Sequence, residues 1–301
     1  MQKINTLISK DNKNIKLKSY YGKALSNKNF KDFVDTIDLK DEVLMKYTSE
    51  IEDSLIEIEN CKTCLGLKEC PNLIKGHVLT PTKQDKGLVF SYLPCSKYQK
   101  DQENFAYLKN VTCFNLPKEL SKASFKNAYR DDNKRLPIFK YFKDFIDNYQ
   151  HKKDLKGLYL SGSFGSGKTY LIAAFFNEMA KKGVNSCMVY YPELLRSLKS
   201  SFGSNYEDKY DFIKSVPLLL LDDIGAENTT SWSRDEVLGP ILQYRMEEDL
   251  PTFFTSNLNI DELETTLSIT GSGIDKIKAK RIIERIKYLT TPLELISKNR
   301  R

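Results

Sequence analysis

The stretch Leu155-Lys156-Gly157-Leu158-Tyr159-Leu160-Ser161-Gly162-Ser163-Phe164-Gly165-Ser166-Gly167-Lys168-Thr169-Tyr170 decides the fold. Its apolar start, Leu155–Leu160, predicts a short strand, and Thr169–Lys182 predicts a helix stopped by Gly183. Between them, Gly162–Thr169 matches G-x-x-x-x-G-K-[ST]. In that pattern the glycines let the backbone close into a ring of N–H donors around phosphates, and the following helix adds its positive end. Lys168 then reaches the β- and γ-phosphates of ATP. The Thr169 hydroxyl faces the Mg²⁺ that bridges them.

Strand and helix signals alternate downstream. Strands are expected at Ser186–Tyr190, Val216–Leu221, Thr252–Ser256 and Leu293–Ile296, and helices at Pro192, Ser233–Glu248 and Asp275–Leu289. This pattern predicts an α/β P-loop ATPase domain with a parallel sheet covered by helices on both faces. The buried strand Leu218–Leu221 runs into Asp222 and Asp223, and ligands of such sheets sit at strand C-terminal ends. Asp222 is expected to hold Mg²⁺ and Asp223 to polarise the attacking water. Asn257, ending the next strand, is placed to orient that water or sense the γ-phosphate. On the helix Asp275–Leu289, Ala279, Ile282, Ile283, Ile286 and Leu289 form an apolar face beside a basic stripe of Lys278, Arg281 and Arg285. Arg281 or Arg285 is the candidate to reach an adjacent subunit's γ-phosphate.

Upstream, residues 27–60 read as helical, with Leu44, Tyr47, Ile51, Leu55 and Ile58 on one face. From 61 to 98 the chain breaks into short pieces rich in Cys, Pro and Gly, as in modules fixed by a metal. Cys61, Cys64, His77 and Cys95 have the spacing of a closed Zn²⁺ site, and Cys70 competes with His77 to complete a four-cysteine set. Cys113 and Cys187 read as ordinary thiols. Residues 99–135 are polar and mixed and are expected to be a linker, so the domains are 1–98, with its zinc module at 61–98, and 136–301.

The 301 residues carry 47 Lys+Arg against 40 Asp+Glu. Composition excludes collagen-like and disordered classes. No apolar run approaches the ~18 residues of a membrane helix, and residues 1–14 lack the apolar stretch of a signal peptide, so a cytoplasmic location is expected. The charge is segregated. Residues 61–150 hold 16 basic and 9 acidic groups and residues 274–301 hold 9 and 3, around an acidic block with 12 and 17 at 151–273. Two basic blocks fit an anionic partner such as DNA.

Taken together these residues resemble the bacterial replicative helicase loaders of the DnaI type, relatives of DnaC and DnaA among the AAA+ ATPases. The resemblance covers nearly the whole chain. It runs through Cys61-Lys62-Thr63-Cys64, Lys75-Gly76-His77, the Gly162–Tyr170 loop, Leu221-Asp222-Asp223-Ile224-Gly225-Ala226-Glu227, Trp232–Glu236, Tyr244-Arg245-Met246, Phe254-Thr255-Ser256-Asn257, Arg281–Arg285 and Asn299-Arg300-Arg301. It implies an AAA+ domain behind a small helical and zinc-binding N-terminal domain that engages the helicase. It implies zinc on Cys61, Cys64, His77 and Cys95, sensor 1 at Asn257, the arginine finger at Arg285 with Arg281 as the lesser candidate, and sensor 2 at Arg300. Implied partners are the hexameric replicative helicase, single-stranded DNA, further copies of the chain and other primosome proteins. The alternatives are an IS21-type transposition helper ATPase, a small-molecule P-loop kinase and a zinc-dependent DNA-binding regulator.

Overall fold

The computed structural model describes residues 14–85, 87–129, 132–151, 154–200, 206–271 and 273–300. Asp131 of the expected linker and Arg301 of the terminal motif lie outside the described residues. The chain divides into two compact units, Met1–Ala106 and Tyr107–Arg301.

In the amino-terminal unit, helices α1 (14–24), α2 (Lys28–Asp35), α3 (Asp41–Leu44) and α4 (Thr48–Lys62) precede an antiparallel hairpin of β1 (His77–Gln84) and β2 (Gly87–Pro94), and α5 (Ser96–Phe105) follows. The continuous helix expected over 27–60 is therefore broken. Asn27 opens α2 by accepting from the Asn29 and Phe30 N–H groups at 2.9 and 3.4 Å, and the Thr36 and Ile37 N–H groups close it onto Phe33 and Val34. Of the expected face, Leu44 and Ile51 are buried beside Tyr21, Phe30, Val34 and Leu88, with Tyr47 and Leu55 packed on their edge. The rest of the buried α4 face is polar. Ser54 Oγ donates to the Leu79 carbonyl at 2.6 Å, and Glu57 accepts from the Leu73 and Leu79 N–H groups at 3.3 and 2.7 Å. A unit with so small an apolar core ties its hairpin down by hydrogen bonds.

The carboxy-terminal unit is a six-stranded parallel sheet. Its strands are β3 (Val111–Phe114), β4 (Gly157–Gly162), β5 (Ser186–Tyr190), β6 (Leu218–Asp222), β7 (Thr252–Ser256) and β10 (Thr290–Leu295), in the order β10-β4-β7-β6-β5-β3. A two-residue pair, β8 (Ile269–Thr270) and β9 (Gly273–Ile274), stands apart. The period-two pleat of the central strands splits their side chains between two cores. Leu219, Leu221 and Phe254 face α8 (Tyr191–Ser200), α10 (Gly239–Glu247), α11 (Ile260–Ser268) and α12 (Lys276–Leu289), while α9 (Tyr206–Ser215) adds Ile213 to that side. Leu218, Leu220 and Phe253 face α6 (Leu136–Asn148) and α7 (Lys168–Lys181). The helix expected over Ser233–Glu248 begins as a π-helical segment, Trp232–Leu238, and continues as α10.

Residues 107–135, expected as linker, belong to this unit. β3 pairs with β5 as the edge strand, and Asn177 of α7 donates to the carbonyls of Leu120, Ser121 and Ala123, binding the segment to the sheet's helical layer. Four residues reading Val-Thr-Cys-Phe at an edge carry too little apolar alternation to announce a strand.

Candidate functional site

The strand order brings three loops together. β4 lies beside β7 and β7 beside β6, so the loop after β4, Asn257 after β7 and the acids ending β6 share one end of the sheet. Gly162 is at φ +142°, and a side chain there would run into the Leu295 carbonyl at 2.1 Å. Gly167, at φ +89°, takes the left-handed conformation that opens α7. A cavity of about 810 Å³ lies over the loop, lined by Phe164–Tyr170, Asp222, Asp223, Asn257 and Arg300. Leu116, Leu120, Tyr129 and Arg135, within the segment expected to be linker, line it as well.

Lys168 is buried, and its ammonium donates to the carbonyls of Gly162 and Ser163 at 2.9 and 3.0 Å and to Asn257 Oδ1 at 2.8 Å. The side chain that tracks β- and γ-phosphates in such loops is thus connected to the residue expected to sense them. Thr169 Oγ1 donates to Asp222 Oδ1 at 2.7 Å, and Thr255 Oγ1 donates to the same oxygen at 2.6 Å. Burial pushes the Asp222 carboxyl above its ordinary range, the Thr169 and Thr255 hydroxyls oppose that rise, Asp223 adds to it and Lys168 opposes it. A buried carboxylate beside a threonine hydroxyl offers the hard oxygen donors that Mg²⁺ takes, and a cation relieves its burial. These residues fit the ion.

Asp223 sits at φ +60°, a conformation uncommon outside glycine. Two bonds hold it there: its N–H donates to Thr255 Oγ1 at 2.8 Å, and Asn257 Nδ2 donates to its Oδ1 at 3.1 Å. The carboxylate faces the cavity with its orientation set by neighbours. Thr255 therefore positions both acids, and it was not singled out in the sequence as a site residue. Its signal in sequence is slight, since β7 reads Thr-Phe-Phe-Thr-Ser and opens as well as closes on polar residues. Tyr170 bonds through its hydroxyl to the backbone of Ser124.

The chain's end returns to the loop. Ser163 Oγ donates to the Ser297 carbonyl at 2.7 Å, the Arg300 N–H donates to Gly165 at 3.0 Å, and the Arg300 guanidinium lies 4.2 Å from the Tyr129 ring centre. The structure thus brings Arg300 into the cavity. Arg281 and Arg285 do not line it. Arg285 Nε donates to Gln243 of α10 at 2.9 Å, and Arg281 is exposed one turn earlier on α12.

In the amino-terminal unit, Cys61 has Cys95, Cys64 and Cys70 near enough to oppose its ionisation, after burial as the larger cause. Asn72 Nδ2 donates to Cys61 Sγ at 3.6 Å, and the Gly76 N–H donates to Cys70 Sγ at 3.4 Å. The His77 ring lies 3.2 Å from the Lys75 carbonyl and against Tyr98, ring centres 4.7 Å apart. Yet among the described residues no group of three or more His, Cys, Asp or Glu side chains is disposed to hold one ion, so the zinc site expected on Cys61, Cys64, His77 and Cys95 is not formed as a closed ligand set. Among the described residues no helix is long and apolar enough to cross a membrane.

Residues 89–291 match the family described as IstB-like ATP binding protein. The chain is 36% identical over 273 residues to the replicative helicase loader DnaI of Bacillus subtilis strain 168, covering 90% of this chain and 87% of that protein. A crystal structure of DnaI is 48% identical, with a TM-score of 0.58 over 65% of this chain and 99% of that one. A crystal structure of the DnaC helicase loader, 22% identical with a TM-score of 0.51 over 60% of this chain and 99% of that one, has the same fold.

Proposed function

The chain belongs to the IstB-like ATP-binding family and to the DnaI replicative helicase loaders, and from that premise we propose that it loads the hexameric replicative DNA helicase onto single-stranded DNA with ATP, in initiation or restart of bacterial replication. The observation that carries this reading is the reach of the DnaI match, which runs through both units. The transposition helper shares the IstB-like match, which starts only at residue 89 and leaves most of the amino-terminal unit unexplained.

In this reading Lys168 and the Gly162–Thr169 backbone bind the β- and γ-phosphates, and Thr169 and Asp222 are the residues that would hold Mg²⁺. The ion supplies charge neutralisation on those phosphates. Asp223, held by Thr255 and Asn257, accepts a proton from the attacking water as its oxygen bonds to the γ-phosphorus and the bond to the ADP oxygen breaks. Asn257 links that acid to Lys168, which suits a γ-phosphate sensor. Arg300 acts as sensor 2 in the same copy. Arg285, with Arg281 as the alternative, reaches the nucleotide of a neighbouring copy, so hydrolysis depends on self-association. Single-stranded DNA is held chiefly through its phosphates, which makes binding salt-dependent.

The amino-terminal unit is the part proposed to engage the helicase in the cytoplasm, alongside other primosome proteins. Its structural zinc, on Cys61, Cys64, Cys95 and His77, rests on their spacing and on the hydrogen bonds that tie Cys61 to Asn72, Asn72 to the His77 carbonyl and the Cys95 N–H to Gly76. Mixing the full chain with the replicative helicase and ATP, and measuring particle mass by light scattering, tests the proposal. A particle heavier than the helicase hexamer is expected; an unchanged hexamer mass across ATP, ADP and no nucleotide contradicts it.

A further inference from the structure

We propose that Arg135 is a positioning residue of the nucleotide site: it holds the Ser166–Gly167 peptide so that the Gly167 N–H faces the phosphates. The proposal rests on the ATP-binding reading above. Arg135 closes a short 3₁₀ turn, Asn133–Arg135, capped by Asp132, whose carboxylate accepts the Lys134 N–H at 3.0 Å. It is 2% exposed, and its Nη2 donates to the Ser166 carbonyl inside the phosphate loop. The guanidinium also lies beside the next residue: a Cβ on Gly167 would stand 3.5 Å from Nη2 and 3.9 Å from Nη1. Ser166 itself is fully buried.

The consequence follows from peptide geometry. No peptide among the described residues is cis, and in a planar trans peptide the C=O of one residue and the N–H of the next point to opposite sides. Tying the Ser166 oxygen to Arg135 therefore aims the Gly167 N–H the other way. That N–H stands at the start of α7, where backbone donors have no partner within the helix and phosphate is their natural acceptor. Gly167 is also the residue least able to hold its own peptide plane, since glycine accepts either sign of φ at little cost. No side chain caps α7 in its place. Lys168 grips the loop at its other end, through the Gly162 and Ser163 carbonyls, so the two cations hold separate halves of the ring. Arginine suits the position because its planar fork can bond a carbonyl with one arm while the rest lies along the backbone.

The test uses the full chain with Arg135→Met and Arg135→Lys, and Lys168→Ala as the control for ATP binding itself. ATP and ADP affinities are titrated, and the Gly167 amide proton is followed by NMR of ¹⁵N-glycine-labelled, ADP-bound protein. Arg135→Met is expected to weaken both nucleotides about tenfold or more, as for loss of a charge-assisted contact, and to move the Gly167 resonance upfield. Arg135→Lys, which keeps one donor, should recover part of both. Wild-type affinities with an unmoved Gly167 resonance in Arg135→Met overturn the proposal, as does a fall in melting temperature with affinity intact. If Arg135→Met does not fold, Arg135→Lys decides alone by the same two readings. A Lys168→Ala protein that binds ATP normally defeats the ATP reading and leaves a distinct signature from either result at Arg135.

Discussion

Replacing Thr255 by Val removes one hydroxyl and little else, because the two side chains have nearly the same volume and both suit a strand. Thr255 is 2% exposed in β7, donates to Asp222 Oδ1 at 2.6 Å and accepts the Asp223 N–H at 2.8 Å. One substitution thus loosens both acids. The Asp222 carboxyl is held up chiefly by burial, and the Thr169 and Thr255 hydroxyls, ahead of Lys168, oppose the rise. Without Thr255 it climbs further, so more of Asp222 is protonated at a given pH and Mg²⁺ must displace that proton. A hydrogen bond to a charged group contributes about 1.5–3 kcal/mol, and ~2 kcal/mol corresponds to roughly thirty times more Mg²⁺ for half-maximal hydrolysis. The acid limb of the pH profile moves to higher pH. Phosphate release measured against Mg²⁺ at several pH values reads both effects, and ATP affinity without Mg²⁺ serves as control because Lys168 and its loop are untouched. A Thr255→Val protein with the wild-type Mg²⁺ requirement and pH profile refutes this reasoning.

The same acid sets a stability prediction. Because the folded protein holds Asp222 above its ordinary range, stability is lost as pH rises from the usual carboxylate range through the raised value. Asp222→Asn should therefore melt at a higher temperature than wild type near pH 7 without nucleotide, while losing hydrolysis; a lower melting temperature there contradicts it. Arg285→Ala should bind ATP normally yet release phosphate at least a hundredfold more slowly, as for loss of a finger supplied by a neighbour. Mixing it with Lys168→Ala should restore part of the activity, since each then supplies what the other lacks, and no recovery at any ratio counts against action between copies. For the metal, plasma emission of purified protein should find zinc lost in His77→Ala and kept in Cys70→Ala; the reverse pattern assigns the ligand to Cys70.

Much of the carboxy-terminal unit was legible because its signals were local. The apolar run before Gly162, the glycines of the loop and the Leu218–Asp222 strand each announce themselves within a few residues, and the sheet places them where the pattern requires. The wall of the cavity was not legible. Arg135 and Tyr129 reach the site from residues whose polar sequence reads as linker, and tertiary contacts such as β3 pairing with β5 and Asn177 binding the 120–123 backbone make that segment part of the fold. Such contacts span from 54 to 75 positions and leave no periodicity. Thr255 was hidden for a different reason: its role lies in which acids stand beside it. In the amino-terminal unit the expected stripe accounts for Leu44 and Ile51 but not for Ser54 and Glu57 of α4, which take buried positions through hydrogen bonds that hydrophobic periodicity does not register. Arg281 and Arg285 do not line the cavity of their own chain.

Loading is most directly tested by unwinding. The replicative helicase is given circular single-stranded DNA carrying an annealed, labelled strand and coated with single-strand-binding protein, and strand release is followed with ATP and the full chain. The account predicts that wild-type chain accelerates release by at least tenfold over helicase alone and that Lys168→Ala does not. Equal strand release with and without the chain, across a range of chain-to-helicase ratios, contradicts it.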